Sequence, residues 1–172
     1  MSSSLANNLT QAEFFTATHR VTGRVQTGSK PLNDLLNDPS QSYLLLYSVY
    51  ISRLNDPGTI SSHSPLAYLS KENLSFVLVA AREIRAPDRG RFAVVEYEAL
   101  VAVPGFELKG KFLGPQRIDV RSFSPATLDH YVALTDVSAQ IITLPQVTFT
   151  GEAGLVNRAR LETLCLNEGP SG

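Results

Sequence analysis

From His19 onward the apolar residues come in short alternating or continuous runs rich in Val, Leu, Ile, Tyr and Phe, broken by Gly, Pro, Asn and Asp. A repeat near two residues, punctuated by turn formers, predicts strands. They fall near 19–28, 42–54, 65–69, 74–83, 91–103, 106–113, 129–143, 146–150 and 160–166. Ahead of them, Leu9 to Thr18 predicts a short helix, with Thr10 as cap, Glu13 three residues on, and Phe14 and Phe15 for packing. Pro31 followed by Leu32, Leu35 and Leu36 on one face predicts a second short helix. "NDPGTISSHSP" predicts a polar loop, and "RAPDRGR" a tight turn through Pro87, Asp88 and Gly90. The pattern is that of a mainly β chain with one or two short helices.

Two runs are apolar beyond simple alternation. In "YLLLYSVYI", alternation puts Tyr43, Leu45, Tyr47 and Val49 on one face and Leu44, Leu46 and Ser48 on the other. Both faces then need covering, as they do for "FVLVA". The chain's own core can cover some of this surface, and a partner subunit the rest.

The two halves also share a pattern. Gly23, Arg24 and Val25, then Tyr43, Leu44, Leu46 and Val49, then Leu69 to Leu74, are matched by Gly110, Lys111 and Phe112, then Tyr131, Val132, Leu134 and Val137, then Val156 to Leu161, at an offset of 87 or 88. This predicts two similar small barrel-like or bent-sheet modules, since local closure of short strands removes exposed edges. The expected organisation is a polar leader with a short helix (1–18), a first β module (19–83), a linking strand and turn (84–106), a second β module (107–167) and a flexible tail (168–172).

The order of elements resembles that of Sm-like small β-barrels in tandem. The resemblance rests on an N-terminal helix, a strand with a central glycine ("RVTGRV"), a long bent strand ("YLLLYSVYI") and two final strands joined by a short turn ("AYLSKENLSFV"). It covers residues 9–80 and, more loosely, 107–166. The family's RNA pocket is lined by an Asp and an Asn after the glycine strand and an Arg-Gly or similar pair at the final turn. Here Asn33, Asp34 and Asn37 are spaced differently, and the turn holds Ser70, Lys71 and Glu72 without a glycine. The resemblance therefore implies a fold, not RNA-binding residues.

Composition narrows the function classes. A chain of 172 residues with 43% apolar and 18% charged residues has enough apolar surface for a folded core, and a soluble globular protein is expected. Fifteen basic and 16 acidic residues leave a net charge of -1, so no overall field draws the chain to phosphates or anionic membranes. The opening "MSSSLANNLTQAEFF" lacks the basic and apolar regions of a secretory signal, and no run approaches the roughly 18 apolar residues of a membrane helix. Asn8-Leu9-Thr10 and Asn73-Leu74-Ser75 match the glycosylation triplet and are read as chance. The single Cys165, in "LETLCL", rules out an internal disulfide and reads as a small buried residue, suiting a cytoplasmic location.

No phosphate-binding glycine loop, hydrolase elbow or paired zinc-ligand motif occurs. His19, His63 and His130 are the default acid-base or metal candidates. The sharpest pair, Asp129 with His130, is adjacent on a strand and so points to opposite faces. Glu96 and Glu98 share a face about 7 Å apart, a spacing that would suit a carboxylate pair but equally the solvated side of a strand whose Val95, Tyr97 and Ala99 turn inward. Basic residues gather at Arg82, Arg85, Arg89 and Arg91 and again at Lys109, Lys111, Arg117 and Arg121, diluted by Glu83, Asp88 and Glu107. No catalytic, cofactor-binding or metal-ligating residue is assigned. The expectation is a non-catalytic interaction or assembly protein whose partner is another protein or a second copy. A Sm-like nucleic-acid binder is the alternative, and an enzyme of unrecognised type the third.

Overall fold

Ten antiparallel strands lie side by side in one open sheet in a computed structural model that describes residues 9–84, 94–115 and 130–168. The strands are β1 (Leu9–Phe15), β2 (His19–Gln26), β3 (Tyr43–Arg53), β4 (Asp56–Ser70), β5 (Phe76–Val79), β6 (Val94–Val103), β7 (Phe106–Pro115), β8 (Tyr131–Ile141), β9 (Leu144–Asn157) and β10 (Thr163–Glu168). One helix, α1 (Leu32–Asn37), joins β2 to β3, and 3-10 turns stand at Lys71–Asn73, Ala81–Glu83 and Arg158–Arg160. The order across the sheet is β10-β6-β7-β8-β9-β5-β1-β2-β3-β4. The expected turn at 85–91, Arg85, Arg89, Arg91, Arg117, Arg121 and Asp129 lie outside the described residues.

Mainly β is the observed class, and the strands form a single open sheet that is continuous through the β5–β9 pairing. That pairing explains why "FVLV" is apolar throughout. Val77 and Val79 enter one core with Phe14, Val21, Leu44, Leu46 and Val49, while Phe76 and Leu78 enter a second with Val101, Phe106, Leu108, Leu134 and Val137. All four residues of β5 are buried, as a strand covered on both faces requires.

The segment Leu9–Phe15 is a strand, not the expected helix. It is held between β2 and β5, and Phe14 and Phe15 point into different cores. Pairing on both sides overrides a local cap signal, because propensity is only a weak prior. The expected polar loop at 55–65 is instead the first part of β4, which continues β3 as a hairpin with Ser52 against Ile60 and Tyr50 against His63. Its side chains are mostly exposed, so apolar alternation was never needed there. β6, expected within a linker, is paired on both sides by β7 and β10.

The faces of β3 also differ from simple alternation. Ser48 takes a positive φ of 52°, and the register slips opposite Gly23 between Thr22 and Arg24. This irregularity turns the strand by one residue, so that Leu44, Leu46 and Val49 face the core together while Tyr43, Leu45 and Tyr50 face out. Gly23 lets the bent strand close in: a Cβ there would meet the Leu46 Cβ and Val49 Cγ2 at 3.4 Å.

Candidate functional site: a covered strand junction and two open edges

The β5–β9 junction is built from the chain upward as a short apolar ladder: Phe76 faces Val156, Val77 faces Leu155, Leu78 faces Gly154 and Val79 faces Ala153. An aromatic group seals one side. Phe15 stacks on Phe76 at 4.5 Å, Phe106 meets both rings edge-on, and Phe149 lies 5.0 Å from Phe15. Such pairs add about 0.5–1.5 kcal/mol each beyond the area they bury. Arg20, paired with Glu13 at 2.9 Å, covers the Phe149 ring.

Polar groups fix the junction's register. The Asn157 N–H donates to the Ser75 carbonyl at 2.9 Å, and its side-chain amide donates to the carbonyl of Leu74 at 2.7 Å and, more weakly, to that of Lys71. The Tyr131 hydroxyl donates to the same Lys71 carbonyl at 3.0 Å. Burial raises the Tyr131 phenol well above its ordinary value of 10.0, because a phenolate there would lose its hydration. Arg160 reaches back to the Glu72 carbonyl and the Asn73 side chain.

Lys71 has a structural task in the same place. Its Nζ donates to the carbonyls of Leu35 at 2.6 Å and Asp38 at 3.1 Å, closing the end of α1. Burial lowers its pKa, and the Asp38 carboxylate partly opposes that. Beside it, a cleft of about 450 Å³ is lined by residues including Leu36, Ser42, Tyr68, Lys71, His130 and Asn157.

The outer strands contrast with this junction. Among the described residues β4 is paired only by β3, and β10 only by β6. On β4, Leu66 is 52% and Tyr68 64% exposed. Tyr68 stacks on Tyr43 at 4.8 Å, Leu45 directly opposite it is exposed as well, and Tyr50 and Ile60 are exposed farther along the hairpin. Long apolar edges left open are templates for strand pairing. Cys165, expected to be buried, is exposed on β10, because nothing among the described residues covers that edge.

The sequence-predicted chemistry is scattered. His19 opens β2 with its Nδ1 2.7 Å from the Thr18 hydroxyl, His63 stacks on Tyr50, and the His130 carbonyl accepts from the Arg158 N–H. Glu96 and Glu98 are exposed on β6 beside the buried Tyr97 and Ala99, the solvated side of a strand. Lys111 ties Glu96 and Asp136 together at 3.5 Å to each, and Glu96 then Asp136 raise its pKa. Among the described residues no cluster of three or more His, Cys, Asp or Glu could hold a metal. No described helix is long and apolar enough to cross a membrane.

One residue had no readable role in the sequence. Glu83, counted there as a surface acid, is buried and accepts from the Leu32 N–H at 3.0 Å and from the Thr10 hydroxyl at 3.1 Å. It caps α1 from a position 51 residues away, satisfying a donor at the helix start, and only the fold brings them together. Comparison with protein-family models, with curated proteins and with solved structures finds no match.

Proposed function

We propose that this chain is a non-catalytic assembly protein, built from a duplicated β module, whose open strand edges join it to another protein subunit. The observation that carries the reading is the pair of open edges. Leu66 and Tyr68 occupy on β4 the places that Ala153 and Leu155 occupy on β9, and the β9 residues are fully buried. Added strands supply main-chain hydrogen bonds, and alternate side chains supply selectivity.

Several recurrences support the duplication. Ser75 N–H donates to the Phe15 carbonyl as Glu162 N–H does to that of Ala102, at 2.8 and 2.9 Å. Leu54 N–H donates to the Thr18 carbonyl as Ile142 N–H does to that of Gly105, both at 3.0 Å. Asp136 has a φ of 51°, the counterpart of Ser48. A Cβ on Gly110 would meet Leu134 and Val137 at the same 3.4 Å that separates one on Gly23 from Leu46 and Val49. The glycine-bearing β2 and β7 and the bent β3 and β8 also support a Sm-like strand plan, which we propose for the architecture alone. Lys71 and Lys111 are held by carbonyls and carboxylates respectively, which removes two of the cations a phosphate-binding surface would use.

Light scattering during gel filtration tests the reading on the full chain. The wild type is expected above monomer mass, and the double variant Leu66→Lys with Tyr68→Lys to fall to it with an unchanged circular dichroism spectrum. A wild type that stays monomeric and takes no protein partner would sink the proposal. A high 260/280 nm absorbance ratio in the purified protein would favour the nucleic-acid alternative instead.

A further inference from the structure

The chain's four lysines, Lys30, Lys71, Lys109 and Lys111, sit in different surroundings. Lys30 and Lys109 are exposed. Lys111 lies half-buried between the carboxylates of Glu96 and Asp136, which hold it as an ammonium ion. Lys71, at the turn between β4 and β5, is 8% exposed, and among the described residues no carboxylate lies within ion-pair distance of it. Its Nζ donates to two main-chain carbonyls instead, Leu35 at 2.6 Å and Asp38 at 3.1 Å. The Asp38 carboxylate is itself taken up by the N–H and hydroxyl of Ser40, at 2.9 and 2.7 Å.

Two carbonyls ask less of a lysine than two carboxylates do. The two N–H groups of a neutral amine are enough for both bonds, whereas an ammonium ion brings a third hydrogen and a charge that the burial leaves poorly hydrated. Burial accordingly lowers the Lys71 pKa from 10.5, opposed by the Asp38 carboxylate. In the neutral form both hydrogens stay on the carbonyls of Leu35 and Asp38, and the lone pair is left without a hydrogen-bond donor. A buried, uncharged lysine amine is the form in which proteins use lysine as a nucleophile toward carbonyl compounds.

Lys71 also lines the cleft of about 450 Å³ shared with Leu36, Ser70, Tyr68, His130 and Tyr131. That volume falls in the range of small-molecule sites. Tyr68 brings to its wall a ring that is 64% exposed, against which a flat ring can stack. Tyr131 brings no charge, since burial keeps its phenol protonated. Asp38 and Glu72 are the acidic residues of the lining. We propose that this cleft is a covalent binding site for a small ring-bearing aldehyde, captured by the Lys71 amine.

The step needs no oxidant or reductant. The nitrogen lone pair attacks the aldehyde carbon, and a C–N bond forms as the carbonyl π pair moves to oxygen and takes a proton. Water then leaves with that oxygen and, in balance, the two amine hydrogens, giving an imine. His130 lines the same cleft and can protonate the departing hydroxyl. An aldehyde is favoured over a ketone because the nitrogen is already crowded by the two carbonyls it holds. The protonated imine keeps one N–H, so capture releases one of those two carbonyls and loosens the end of α1.

Reductive trapping on the full native chain tests the site. Pyridoxal is the probe, applied near neutral pH with cyanoborohydride, which delivers hydride to the imine carbon and fixes the adduct as a secondary amine. The reaction is stopped at low incorporation and the adducts are located by peptide mass spectrometry. The other three lysines serve as internal references; the α-amino group, which is reactive in its own right near neutral pH, is left out of the comparison. Lys71 is expected to carry severalfold more adduct than Lys30, Lys109 or Lys111, and the preference should vanish in urea. Tyr68→Ala should slow labelling of Lys71 severalfold and leave Lys109 unchanged. Equal labelling of the native lysines, Lys71 labelled least, or a preference that survives unfolding overturns the proposal. A Tyr68→Ala rate at Lys71 equal to that of the wild type would show the amine reacting without the cleft, and overturns it too.

Discussion

Leu155 on β9 and Tyr68 on β4 stand at the same place in their hairpins, facing Ala133 and Leu45 respectively. Leu155 is sealed beneath β5, whereas Tyr68 rests on Tyr43 in the open. The strands are alike in pairing and direction, so their different exposure comes from the neighbour on the far side. Where β5 arrives it brings two apolar faces, and the contact is locked by Asn157 of β9 and sealed by Phe76 among phenylalanines of β1, β7 and β9. Where no strand among the described residues arrives, the same ladder leaves large apolar side chains exposed.

The sharpest way to break the comparison is to truncate both residues. Leu155→Ala leaves a cavity in a core that has little freedom to collapse around it, and a loss of about 2–5 kcal/mol is expected. Tyr68→Ala removes an exposed cross-strand pair, worth at most about 1 kcal/mol. Urea midpoints followed by circular dichroism at high dilution, where copies are apart, measure both. Equal losses would mean that Tyr68 is already covered within the chain.

A second contrast sets the polar locks against each other. Asn157→Ala removes the donor to Leu74 and the acceptor for the Ala159 N–H, leaving buried groups unsatisfied at a cost of about 1–3 kcal/mol. Ser70→Ala, at the matching place on β4, should change the dilute chain by no more than about 0.5 kcal/mol. The same urea experiment decides, and a costly Ser70→Ala would show that the two ends are not comparable.

Much of this arrangement was legible in the chain, and the parts that were not have physical causes. Apolar alternation marked β2, β3, β6, β7 and β8, and Pro31 with three leucines marked α1. Both faces of "YLLLY" and "FVLV" asked for cover, which is the site's main feature. The strand at Leu9–Phe15 was hidden because its cap-like Thr10 and Glu13 also suit a helix, and the pairing that decides the matter comes from β5, over 60 residues on. The turn in β3 was half visible: Gly23 signals a close approach, but the positive φ falls on Ser48, which carries no mark of it. The exposure of Cys165 depends on what lies beside β10, and Glu83 acts across the fold; neither is a property of a local run.

The smallest effect separates the two tyrosines and is read with pH. The Tyr131 phenol is held neutral by burial, with its pKa raised above 10.0. Above pH 10 the unfolded chain releases this proton and the folded chain keeps it, so the folded state binds more protons and stability falls as pH rises. The contribution is complete below pH 10, and its loss is at most about 1.4 kcal/mol per pH unit. Lys71, lowered by burial from 10.5, acts in the opposite direction below that value, because there the unfolded chain binds the extra proton. The difference between wild type and Tyr131→Phe cancels the Lys71 contribution and isolates the phenol. Tyr131→Phe should lose about 0.5–1.5 kcal/mol at neutral pH, for its bond to Lys71, and then lose less than the wild type with each further step above pH 10. Tyr43→Phe should leave the neutral stability of the dilute chain unchanged, since its hydroxyl has no partner among the described residues. Were Tyr43→Phe to destabilise the dilute chain as much as Tyr131→Phe, the open edge would be closed by some contact inside the molecule.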